Sequence, residues 1–190
     1  MFRAFNSLPP APKSAEEAVF QANALLLGAG FTPEPVTLKT PAQGADGFSG
    51  ATIRADLPEE ALGALVYAAV VEAASEQGIA VTQTSLQLHS DGPGSVGIRL
   101  QVTAKIFVAS VELGVRGRVS VSNCGAVEFD SLLLDAGAGM FASMATAAIK
   151  PKLDQLQAEQ FELEKIFGRK LSVTQFEFKA SQLQAEWQFA

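Results

Sequence analysis

Between Ser95 and Ser122 apolar and polar side chains alternate with few interruptions. The even positions Val96, Ile98, Leu100, Val102, Ala104, Ile106 and Val108 are apolar, and Arg99, Gln101, Thr103 and Lys105 fall between them. After Ala109-Ser110 the parity inverts: Val111, Leu113, Val115, Val119 and Val121 are apolar, whereas Glu112, Arg116, Arg118 and Ser120 are polar. A period of two belongs to a strand with one dry face. The inversion fits a two-residue hairpin with Val108 and Val111 flanking its loop. It fits equally a β-bulge in one continuous strand, and the pattern leaves both open. At ~3.3 Å per residue, Val96 to Val108 spans about 40 Å, close to the diameter expected of a compact chain of this size. A sheet of such strands must twist and coil.

The rest of the chain alternates between helical and strand-like patterns. Ser14 and Glu17 form an S-x-x-E capping box ahead of the apolar run Val19–Leu27, which predicts a helix over about 15–27 stopped by Gly28 and Gly30. Short strands are expected near 35–40 and across "FSGATIRADL", with Ala51, Ile53 and Ala55 on one face. "LPEEALGALVYAAVVEAASEQG" predicts a helix over about 57–77. Glu59 and Glu60 complement the positive end of its dipole, and its apolar stripe is wide enough to bury much of its circumference. Strands resume from Val81, "SDGPG" and "SNCG" make turns, and "AVEFDSLLLD" is a further strand. A helix follows from about Met140, interrupted at Pro151, and two alternating segments joined near Ser181 close the chain as a hairpin. Residues 1–13 read as a Pro-rich lead-in and 14–190 as a single domain. The fold class predicted is α+β: a long, highly curved antiparallel sheet wrapped around two long helices, about 57–77 and 138–165.

Composition sharpens this picture. Among 190 residues, 48% are hydrophobic and only 18% charged, yet no apolar run is long enough to span a bilayer. The excess must go into a large core, an oligomer interface or a lined cavity. The net charge of −6 and the lack of a dense Lys/Arg cluster argue against nucleic acid and anionic membranes as partners. The N-terminus has no apolar signal region, so a cytoplasmic location is expected unless a leader has been removed. The single Cys124 cannot form an internal disulfide.

Catalytic chemistry is hard to assemble from these residues. His89 is the one histidine, with no carboxylates at metal-ligand spacing, so no metal site and no cofactor are expected. Cys124 could use only His89 as a base, and both fall at turn or strand-end positions. Gly137 and Gly139 precede a helix but lack the remaining elements of a phosphate loop, so they read as clearance for a sheet-to-helix crossing. The pairs Glu16-Glu17 and Glu59-Glu60 sit at helix starts, where the dipole favours them.

The stretches "LPEEALGALV", "VTQTSLQLHSDGPGSVGIRLQVTAKIFVASVELGVRGRVSVSNCGAVEFDSLLLDAGAGMFASMATAAIKPKLDQL" and "LEKIFGRKLSVTQFEFKASQLQAEWQF" resemble, in order and pattern, the tubular lipid-binding superfamily. Within it they are most similar to small bacterial phospholipid-binding proteins of the LmeA-like type, over about residues 48–190. The resemblance implies a non-enzymatic protein with an apolar groove or tunnel for acyl chains. Met140, Phe141 and Met144 then line it, together with Leu62, Val66, Tyr67 and Val70 from the earlier helix and Ile98, Leu100 and Val102 from the long strand. Read without the resemblance, the same stripes are plain core. The expected partner is a lipid or fatty-acyl ligand. The alternative is a structural or interaction protein whose apolar surface makes a homodimer or a partner interface.

Overall fold

The computed structural model describes residues 10–190 apart from 29, 32–33, 76–78, 107–108, 137–139 and 159–160. Only the backbone is described at positions 25, 65, 69, 72–73, 106, 109, 140–142, 144–145, 148, 152, 156, 161 and 166. Among the described residues four helices and nine strands follow in the order α1 (Ala15–Gly28), β1 (Val36–Thr40), β2 (Thr52–Pro58), α2 (Glu59–Ser75), β3 (Ala80–Ser90), β4 (Ser95–Ile106), β5 (Ala109–Val121), β6 (Ala126–Asp135), α3 (Met140–Ala158), β7 (Phe161–Glu162), α4 (Leu163–Phe167), β8 (Leu171–Lys179) and β9 (Gln182–Phe189). The strands divide between two antiparallel sheets. One is four-stranded, ordered β1-β2-β9-β8, and the other is five-stranded, ordered β3-β4-β5-β6-β7.

The predicted helix start forms with one shift, the Glu17 carboxylate reaching the N–H of Lys13 rather than that of Ser14. Ser14 Oγ accepts the Glu17 N–H at 3.2 Å, and Glu17 Oε2 accepts the Lys13 N–H at 2.7 Å. This fixes the start of α1, whose Ala15 and Ala18 are buried against the four-stranded sheet. Asn23, also buried, docks α1 onto β1: its side chain donates to Val36 O (2.7 Å) and accepts from Val36 N (2.9 Å). Strand β1 is an edge, so these two bonds satisfy backbone groups that no further strand pairs.

The main core belongs to this smaller sheet. Val36, Phe48, Ile53, Ala55, Leu171, Trp187 and Phe189 are buried together. Phe48 meets Phe189 edge-on at 5.1 Å, Phe167 of α4 packs against Phe189 at 5.6 Å and Trp187 at 5.9 Å, and the Arg169 guanidinium lies 5.0 Å over the Phe48 ring. Residues 15–47, outside the span of the resemblance, therefore help build the best-packed part of the molecule.

The expected architecture, one long, highly curved sheet wrapped around two long helices, is overturned. The chain is dominated by strands in two sheets, and no pair of long helices fills either. Strand β9 returns to pair with β2, Ile53 opposite Trp187, rather than extending the long-stranded sheet. None of the described side chains of α2 or α3 is fully buried, and Tyr67 is 42% exposed. Helix α2 packs mainly along β3, with a smaller contact to β2. Helix α3 runs through Pro151 without ending there.

The long strands form, but not about the expected loop: Ala109 and Ser110, expected between them, belong to β5 and pair with Ile106 and Lys105. Pairing of Ile106 with Ala109 and of Val102 with Leu113 makes β4 and β5 a hairpin, not one bulged strand. Val108, expected to flank its loop, lies outside the described residues, as do Gly137 and Gly139. Strands β8 and β9 turn through Ala180 (φ 52°) and Ser181 (φ 59°), two consecutive left-handed residues, the backbone of a type I′ hairpin made without glycine or asparagine.

Candidate functional site

The register sorts the five-stranded sheet into two faces. One carries Leu86 and Leu88 of β3, Val96, Ile98, Leu100, Val102 and Ala104 of β4, Val111, Leu113, Val115 and Val119 of β5, and Phe129 and Leu134 of β6. Helix α2 packs along β3, coming close at Gly63, where an added Cβ would stand 3.9 Å from Leu86 Cβ. Helix α3 packs on β6 and β5, and its Ile149 joins Val102, Val111, Leu113 and Ala136 in a small cluster. At the other end Val96 is buried where the β3–β4 turn meets β8, and Gly94 N–H donates to Phe176 O at 3.1 Å.

Both ends of this apolar face are thus closed. Its middle is not: Leu86, Leu88, Ile98, Leu100 and Val115 are only half-buried. Among the described residues neither α2 nor α3 packs along β4. A half-buried Leu or Ile at the centre of a sheet leaves apolar surface in contact with water, which costs roughly 25 cal/mol per Å².

The ten expected lining residues distribute unevenly about this region. Ile98, Leu100 and Val102 stand on the apolar face of β4. Leu62, Val66 and Val70 are half-buried on α2, and Tyr67 on the same helix is turned largely to solvent. Met140, Phe141 and Met144 stand in the first turns of α3; their side chains lie outside the described residues.

The opposite face is polar, and two hollows follow it. One of about 430 Å³ is lined by Gln83, Ser85, Gln101, Thr103, Glu112 and Asp135. A second, of about 950 Å³, is lined by Gln87, His89, Arg99, Arg116, Arg118, Ser131 and Leu133. Strand pairing sets this floor: Gln87 stands opposite Arg99, Arg99 opposite Arg116, Arg116 opposite Leu133, and Arg118 opposite both Gly97 and Asp130. The His89 ring lies over Gly97, where a Cβ would fall 2.1 Å from Nε2, so glycine there is what lets the ring lie flat on the sheet. Strand β6 is irregular opposite Arg116–Arg118, and Ser131 sits there with φ 54°. That irregularity carries Leu132 over Gly117 on the apolar side, where an added Cβ would come within 2.6 Å of Leu132 Cδ2.

Sequence reasoning missed the arginine row. The alternation placed Arg99 and Arg116 on the polar side of their strands, but only the β4–β5 register sets them side by side. His89 and Cys124 are not brought together. Cys124 is exposed in the turn beyond β5, its Sγ 3.1 Å from Ser122 Oγ, while His89 is stacked on β4 at Gly97. Among the described residues no three His, Cys, Asp or Glu side chains gather as metal ligands, and no helix is long and apolar enough to cross a membrane. Set against family models, curated proteins and solved structures, the chain matches none of them.

Proposed function

We propose that the chain binds a hydrophobic ligand of the lipid or fatty-acyl class, without catalysing a reaction, on the apolar face of the five-stranded sheet between α2 and α3. One observation carries the reading. The face is closed at both ends, by β8 at Val96 and by α3 at Leu113, while Ile98, Leu100 and Val115 between them stay half-buried. An acyl chain laid along β4 would take that surface out of water, at about 0.8 kcal/mol per methylene transferred. Selectivity for chain length would be loose, because the half-buried side chains at the centre of this face have no directional groups.

The test is titration of the purified chain with a fluorescent fatty acid, alongside extraction and mass analysis of co-purified lipid. Saturable binding that weakens in Leu100→Asp, with far-ultraviolet dichroism unchanged, supports the proposal. A wild-type chain that takes up no acyl probe, or that instead self-associates with rising concentration through Leu100, overturns it in favour of an interface between copies.

A further inference from the structure

We propose that the hollow on the polar face of the five-stranded sheet is a binding site for a phosphate group, held by Arg99 and Arg116. The two arginines are direct cross-strand partners in β4 and β5, so their side chains leave the same face about 5 Å apart at Cβ. Like charges in that position repel and destabilise the sheet. Neither guanidinium makes an ion pair or side-chain hydrogen bond among the described residues. Their other cross-strand neighbours are Gln87 and Leu133, which supply no counter-charge. In a chain of net charge −6, acidic side chains were available to pair them.

The next arginine along β5 shows what pairing looks like here. Arg118 is ion-paired with Asp91 and stands opposite Asp130. Two carboxylates line the hollow as well, and both are engaged: Asp91 by Arg118, and Glu59 by the backbone N–H of Leu88 at 2.6 Å. Two unpaired forks therefore face a hollow of about 950 Å³, roomy enough for a small phosphate-bearing molecule. Guanidinium groups match a phosphate with paired N–H donors, and two of them neutralise a phosphomonoester dianion. Ser131 lines the same hollow in a left-handed conformation that a non-glycine residue adopts only at a cost, a feature concentrated at binding sites. Arg99 and Arg116 stand on the sheet face opposite the apolar surface proposed above, and the assignment does not depend on that surface.

Titration calorimetry of the full chain with inorganic phosphate at low salt tests the assignment. Arg99→Gln and Arg116→Gln should each weaken binding about tenfold, whereas Lys150→Gln, a distant surface control, should not. Without phosphate, Arg116→Gln should raise the melting temperature by roughly one to a few degrees, because the repulsion is relieved. Co-sedimentation with phosphatidylcholine vesicles containing phosphatidic acid separates the sources. Binding lost in Arg99→Gln would identify a lipid headgroup as the carrier; phosphate binding without vesicle binding would identify a free phosphate compound. No saturable binding of either probe, or equal binding by wild type and both arginine variants, overturns the proposal.

Discussion

The two sheets use apolar side chains in opposite ways. In the four-stranded sheet Phe48, Ile53 and Phe189 are at most 1% exposed and interlock with α1 and α4. In the five-stranded sheet the strands are longer, yet among the described residues of its apolar face only Val96, Ala104, Val111 and Leu113, near the ends, are buried, and the central residues are left half-covered. Close packing is what stabilises a fold, so the smaller sheet should carry most of the stability. The larger one holds surface in reserve, which is what a binding face requires.

Truncation of matched residues would break that comparison most sharply. Ile53→Ala should cost about 2–5 kcal/mol by denaturant unfolding, the range for a fully buried aliphatic, while Leu100→Ala should cost about 1–2 kcal/mol because part of its surface is already wet. Equal losses would mean that the five-stranded sheet is as tightly packed as the other. Asn23→Ala comes next. It leaves Val36 N–H and C=O without the partners that α1 supplies, at about 2 kcal/mol in the same measurement. A loss of a few tenths would show that water replaces the side chain there.

The remaining predictions are smaller. Replacing Ala180-Ser181 by Asn-Gly suits two consecutive left-handed residues and should stabilise the chain by about 1 kcal/mol, read as a higher denaturation midpoint. Asp46 shapes the acid limb of stability. The backbone N–H groups of Ser49 and Phe48 hold its carboxylate below the ordinary range. A lowered folded-state value means that its contribution is fully present above the ordinary carboxylate range and is lost as pH falls through the folded value. Asp46→Asn should therefore lower stability slightly at neutral pH and flatten the acid limb, the two chains converging as pH falls through the folded value; an unaltered acid limb would remove Asp46 from the account.

What the sequence by itself determined was local. Ser14 with Glu17 marked the start of α1, alternation marked β4 and β5 and assigned their faces, β6, β8 and β9 were recognisable as strands, and Ala51, Ile53 and Ala55 as one face of β2. These follow from backbone periodicity and from hydrogen bonds within a few residues. Partnership between distant segments was decided only in three dimensions. Alternation says which side of a strand is dry, but not which strand lies beside it, so nothing local sent β9 to β2 instead of to the long-stranded sheet. For the same reason α2, apolar enough for a core, packs mainly on β3 and leaves Tyr67 largely in water. The row of Arg99 and Arg116 exists only through the register of two strands, because charges on separate strands become neighbours when backbone hydrogen bonds align them.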